Sequence, residues 1–243
     1  MTIYRGGFKI YGHPIGILML DGRFPRIPGD MGNATTFDYP VIYHVIAGAP
    51  PRRVVDGDPT LLEPFVEGAR YLERSGARMI TTNCGFLAVF QREMAAAVNV
   101  PVYTSSLIQV PLVWSMLGPG KKVGILTADA KCLSEAHFRG VGWSGDQIPV
   151  AIQGMEDYPE FTGTILGNGE TLDFEAIKEE MGHSARKLVS EHPNVGAIVL
   201  ECTNMPPYAS HVQQVTGLPV FDILTLTDMA CRAAIRSPYR GHM

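Results

Sequence analysis

The chain repeats itself. Cys84 ends the apolar run Arg78-Met79-Ile80-Thr81-Thr82-Asn83, and Cys202 ends the run Ala197-Ile198-Val199-Leu200-Glu201. A Pro-Val pair follows each cysteine at the same distance, Pro101-Val102 and Pro219-Val220, so these landmarks recur at a spacing of 118, as do Ile80 and Ile198. An earlier landmark, Ile15-Gly16-Ile17-Leu18, returns as Val123-Gly124-Ile125-Leu126 at a spacing of 108. The second half therefore carries about ten extra residues, among them the Gly-rich stretch 163–169. Four landmarks in one order restrict the fold to two similar halves.

Short β-rich apolar runs alternate with longer amphipathic segments, the pattern of an α/β protein with parallel sheets. Strands are predicted at 15–20, 41–46, 77–82, 102–104, 123–127, 148–152, 195–200 and 220–221. Helices are predicted at 61–74, stopped by Gly76, and at 174–191, stopped by His192-Pro193. Each of these helices precedes a cysteine-bearing strand. The expected organisation is a first α/β half over residues 1–117, joined by the C-terminal segment 222–243, and a second half over 118–221. The halves are related by a pseudo-twofold axis, with the active site in the cleft between them. The loop 21–39 is long, polar and rich in Gly and Pro, and it follows the carboxyl end of the first strand, where open parallel sheets bind ligands. It reads as a binding loop.

Composition narrows the function. Of the 243 residues, 46% are hydrophobic and 18% charged, which is a globular balance. A net charge of −4 supplies no footprint for nucleic acid or an anionic membrane. The longest apolar runs, such as 15–20, are far too short to span a bilayer. Four cysteines without a Cys-x-x-Cys or Cys/His cluster form neither a disulfide framework nor a zinc site, and free thiols fit a reducing cytoplasm.

A single cysteine in an apolar strand is ordinarily a packing residue. Two at equivalent strand ends, each beside Thr and Asn, are a different matter: Thr82 and Asn83 flank Cys84, and Thr203 and Asn204 flank Cys202. Both precede helical patterns, 86–98 and the segment opened by Pro206-Pro207. A helix N-terminus offers free N–H groups that stabilise a thiolate or a substrate carboxylate. Gly85 lets a substrate approach the backbone. Cys132 and Cys231 lie in the helical patterns 130–139 and 226–236 without such neighbours and are assigned to packing.

These residues resemble the aspartate/glutamate racemase superfamily, which includes hydantoin racemases, arylmalonate decarboxylases and maleate cis–trans isomerases. The likeness covers most of the chain: duplicated halves, a Gly-Ile-Leu strand opening each, and a cysteine at a strand end in each. Leu200-Glu201-Cys202-Thr203-Asn204 is similar to the family's Cys-Thr signature. Thr82-Asn83-Cys84-Gly85 departs from the Cys-Asn-Thr order of the amino-acid racemases, because here the asparagine precedes the cysteine.

The resemblance implies an isomerase without a cofactor or metal: a racemase of Asp/Glu-type or hydantoin-type substrates. Cys84 and Cys202 would exchange protons with opposite faces of the carbon alpha to a carboxylate or carbonyl. It further implies a small carboxylate or amino-acid-like substrate and a homodimer or higher homo-oligomer. The enolate-like charge would be held by the backbone around Gly85 and Phe86, by Asn83, Thr203 and Asn204, and by Thr127 and Asn33 as further donors. Asp21 is matched to the family's first-strand aspartate, although it stands two residues further from the glycine. Arg23, Arg26, Arg52 and Arg53 are candidates to clamp a second carboxylate. A decarboxylase or cis–trans isomerase of the same fold stays open as an alternative, as does a non-catalytic binding protein.

Overall fold

Each Gly-Ile-Leu landmark has a packing reason. A Cβ on Gly16 would stand 3.0 Å from both Leu72 Cδ1 and Ala77 Cβ, and one on Gly124 would stand 2.9 Å from Leu188 Cδ2 and 3.0 Å from Val195 Cγ1. The glycines let equivalent helices, Leu62–Arg74 and Phe174–Glu191, press onto equivalent strands. The first helix buries Phe65, Val66, Ala69 and Leu72, and the second Ile177, Met181, Ala185 and Leu188, at the three-to-four spacing of an apolar stripe.

The computed structural model describes residues 3–242 and contains two four-stranded sheets, all of whose pairings are parallel. The first has the order β2-β1-β3-β4, from β1 (Ile15–Leu20), β2 (Val41–Ile46), β3 (Met79–Thr82) and β4 (Val102–Tyr103). The second has the order β6-β5-β7-β8, from β5 (Lys122–Thr127), β6 (Val150–Gly154), β7 (Val195–Leu200) and β8 (Val220–Phe221). The repeat in sequence is thus a repeat of topology, and the α/β class with two similar parallel halves is what the chain adopts. The central strand β1 is buried along its whole length, as a parallel strand covered on both faces must be.

Several boundaries differ from expectation. The strand predicted at 148–152 runs Val150–Gly154, because Ile148 N–H closes a turn onto the Ser144 carbonyl and Pro149 has no N–H to give a ladder. The pattern 86–98 is a tight 3₁₀ segment, Gly85–Phe90, followed by the helix Gln91–Ala96. Helix 130–139 begins only at Glu135, so Cys132 lies in a turn and is half-buried against the core. The second-half helix has 18 residues against 13 in the first, so about half of the ten-residue excess lengthens this helix.

The C-terminal helix Ile223–Ala234 starts at a capping box between Asp222 and Thr225. Its Ile223, Leu226, Ala230 and Cys231 pack with Ile15, Ile17, Met19 and Tyr103 on the first sheet. Polar contacts also join the halves. Ser106 Oγ donates to the Leu200 carbonyl at 2.6 Å, Trp143 Nε1 donates to the Leu107 carbonyl at 3.0 Å, and Thr203 Oγ1 donates to the Asn83 carbonyl.

Candidate active site

Both cysteines leave their strands at the carboxyl ends, and both line one small cavity between the halves. Its wall comprises Leu20, Phe24, Pro51, Val55, Cys84, Gly85, Phe86, Ala128, Ile165, Leu166, Glu201, Cys202 and Asn204. The enclosed volume is about 20 Å³, the space of a single water rather than of a ligand. Of the lining residues, Ile165 and Leu166 belong to the π-helical turn Thr162–Leu166, a geometry that recurs at functional sites.

Cys84 caps the 3₁₀ segment in extended backbone. Burial pushes its thiol up to about 12, and the neighbouring Glu201 carboxylate adds to the rise. The N–H groups of Phe86 and Leu87 and the charge of Arg26 pull the other way. Cys202 is pushed well above the ordinary thiol range by burial, then by Glu201, Cys84 and Asp30; the Asn204 N–H opposes them. Its Sγ donates to Asn204 Oδ1 at 3.5 Å.

Glu201 is the group that sequence reasoning passed over. It is completely buried at the end of β7, and burial raises its carboxyl to about 7 against the Thr127 hydroxyl and the Ala128 N–H, which lower it. Thr127 Oγ1 donates to Oε2 at 2.8 Å, whereas Oε1 has no hydrogen-bond partner among the described residues. Its signal was present: an acidic residue directly after the apolar run Val195–Leu200 has no place in a plain core.

The other predicted residues divide. Gly85, Phe86 and Asn204 line the cavity with the cysteines. Asn204 Nδ2 also donates to Asp30 Oδ2 at 2.7 Å, and Asp30 pairs with Arg26 at 3.1 Å. The loop 21–39 therefore does reach the site, through Phe24, Arg26 and Asp30. Arg26 lies 4.0 Å over the Phe24 ring, and its Nη2 is buried without a partner among the described residues.

Thr127, Asn83, Thr203, Asn33 and Asp21 are not among the cavity-lining residues. Thr127 holds Glu201. Asn83 Oδ1 accepts from Leu20 N–H at 2.7 Å, tying the end of β3 to β1. Thr203 bridges to Asn83, as described above. Asn33 donates to the Arg26 carbonyl at 2.8 Å and caps Thr35. Asp21 is exposed and accepts from Gly48 N–H at 3.0 Å. Arg23 faces Glu170, Arg52 pairs with Asp56 and Asp129, and Arg53 pairs with Asp58, so these three have partners outside the cavity. Among the described residues, no helix is long and apolar enough to cross a membrane.

The family described as Asp/Glu/Hydantoin racemase matches residues 37–231. Among curated proteins, the chain is 31% identical to a dimethylsulfoniopropionate lyase of Durusdinium sp. clade D, over 93% of this chain and 77% of that protein. It is 29% identical to dimethylsulfoniopropionate lyase 3 of Emiliania huxleyi (strain CCMP1516), over 94% of this chain but only 62% of that protein. Among solved structures, unliganded arylmalonate decarboxylase superposes with a TM-score of 0.59 at 17% identity, covering 92% of this chain and 93% of that one. Glutamate racemase from Francisella tularensis in complex with D-glutamate gives 0.55 at 14% identity, covering 94% and 85%. At such identities the structural likeness is one of fold. The curated relatives correct the expectation of an amino-acid racemase and, with it, of an isomerase: those proteins are named as lyases. The physical reason is that the step inferred from the two cysteines, removal of an α-proton, is common to racemisation and to β-elimination.

Proposed function

From the premise that the chain belongs to the Asp/Glu/hydantoin racemase family, we propose that it is a lyase cleaving dimethylsulfoniopropionate, or a closely similar β-sulfonio carboxylate, by β-elimination. The observation that carries this reading is the set of Cys84, Cys202 and Glu201 lining a single apolar-walled cavity, in a chain whose curated relatives are lyases for that compound.

The chemistry fits the site. In a β-sulfonio carboxylate the leaving group departs as a neutral sulfide and needs no proton. One base is therefore sufficient: a cysteine sulfur takes the α-proton, the C–H electrons become the Cα=Cβ bond, and the Cβ–S electrons leave on sulfur. Dimethyl sulfide and acrylate result. Charge building up at the carboxylate is met by the Phe86 N–H behind Cys84 and by the positive charge of Arg26, both of which already act on that thiol. The sulfonium, a soft and weakly hydrated cation, suits a cavity lined by the Phe86 ring. Substrate binding requires the cavity wall to open, because the volume of about 20 Å³ holds no such molecule as it stands.

The test is direct. Purified protein is incubated with dimethylsulfoniopropionate, headspace sulfide is followed by gas chromatography, and acrylate by proton NMR. Equimolar dimethyl sulfide and acrylate are expected; no release above a buffer blank would sink the reading.

A further inference from the structure

We propose that Glu201 is a third proton-handling group of the site, the acceptor of the proton that a cysteine must lose before it can act as base. The inference rests on the lyase reading above but concerns a residue to which that reading assigns no step.

Three independent features support it. The carboxylate is fully buried, and Oε1 is unpartnered among the described residues, although a buried ionised oxygen without a partner is costly. It shares the cavity wall with both thiols. The opposite half also leaves room for it: a Cβ on Gly85 would stand 2.1 Å from Oε1 and 2.3 Å from the Glu201 carbonyl oxygen, so only glycine lets the two halves bring this carboxylate to the root of Cys84. A carboxylate serving merely to join the halves would have its outer oxygen hydrogen-bonded.

Electrostatics then assign the order of events. The charged and titratable groups around the pair are Cys84, Cys202, Arg26 and Asp30, and Asp30 is already paired with Arg26. A buried site of this size resists two adjacent negative charges, and Glu201 accordingly raises both thiols. The single negative charge therefore rests on the carboxylate until a sulfonium cation enters. The cation favours charge on the neighbouring sulfur. The thiol proton passes to Oε1, the thiolate takes the α-proton, and the C–S bond breaks. The site is left with a thiol and a carboxylic acid, and the acid releases its proton to solvent. The balance is one zwitterionic substrate giving sulfide, acrylate anion and one proton.

The decisive variant is Glu201→Gln in the full chain, which keeps shape and the Thr127 contact. Thiolate absorbance is titrated against pH in the parent and in the variant, each also with Cys84→Ser or Cys202→Ser, alongside turnover of dimethylsulfoniopropionate. The expected result is a thiol titration moved to lower pH, because a neighbouring negative charge is gone, together with turnover reduced about 10²–10⁴-fold. An unchanged thiol titration overturns the proposal, as does unchanged turnover. Thr127→Val supplies a second reading: without the hydroxyl that lowers the carboxyl, the acid limb of the pH–rate profile should move to higher pH, and an unmoved limb counts against the assignment. If the parent releases no dimethyl sulfide but Glu201→Gln still shifts the thiols, the coupling stands and the substrate assignment fails.

Discussion

Gly85 and Glu201 meet across the join between the two halves, so closely that any side chain at 85 would overlap the carboxylate: a Cβ there would lie 2.1 Å from Oε1. The same Cβ would lie 2.3 Å from the Glu201 carbonyl oxygen, which is backbone and cannot rotate away as a side-chain end can. Gly85→Ala should therefore destabilise the fold by about 1–3 kcal/mol, the ordinary cost of overpacking. Urea unfolding of Gly85→Ala, Glu201→Ala and the double variant checks the cause. The double variant should recover only the part of the loss that the carboxylate causes, since the Glu201 carbonyl oxygen, 2.3 Å from the same Cβ, stays in place.

The thiols should differ sharply in consequence. Cys84→Ser and Cys202→Ser are each expected to lower sulfide release by about 10²-fold or more, with the deeper loss in whichever sulfur holds the α-proton. Cys132→Ser, in a half-buried turn away from the cavity, should leave kcat unchanged. Steady-state kinetics by headspace analysis separates these outcomes. A fully active Cys202→Ser would remove the second thiol from the chemistry.

Stability should fall as pH rises from about 4.5 to about 7. In the folded chain the Glu201 carboxyl is raised from 4.5 to about 7, so between these values the folded state holds a proton that the unfolded state has lost. The penalty is absent below the lower value and complete above the upper one, amounting to at most about 3 kcal/mol. Cys84, raised from 9.0 to about 12, adds a loss of the same sign above pH 9.0. Calorimetric Tm values at successive pH should show the first slope in the parent and its absence in Glu201→Gln. A parent profile as flat as that of the variant would contradict the assignment.

Asp30 and Arg26 form a largely buried ion pair, with side chains 4% and 15% exposed. Asp30→Ala leaves the guanidinium unpaired and takes the acceptor from Asn204, so a loss of about 3–5 kcal/mol is expected. Arg26→Met should cost less, because the Asp30 carboxylate keeps Asn204 and the Gly32 N–H at 2.6 Å. Denaturant midpoints of the two variants test the ranking, and equal losses would show that these contacts do not hold the loop against the site.

Much of the framework was legible because it is local. The Gly-Ile-Leu runs mark strands that a helix must press against, and leucines at 72 and 188 meet the two glycines in the same way. The cysteines at equivalent strand ends follow from the same repeat. The polar residues were less legible. Thr127, Asn83 and Thr203 were expected to face a substrate, yet Thr127 holds Glu201, Asn83 binds Leu20 N–H, and Thr203 crosses to the Asn83 carbonyl. Residue type states what a side chain can donate or accept; it does not state which unsatisfied group from another strand will reach it first.

The chain by itself thus determined two parallel α/β halves and a thiol at the carboxyl end of a strand in each, because strand burial and helix spacing are written in short-range patterns. The tertiary structure decided that Glu201 joins the thiols. A buried acid at the end of β7 meets Thr127 within its own half, but it meets Cys84 only when the opposite half arrives, and that half arrives here as Gly85, with no side chain to bar the approach.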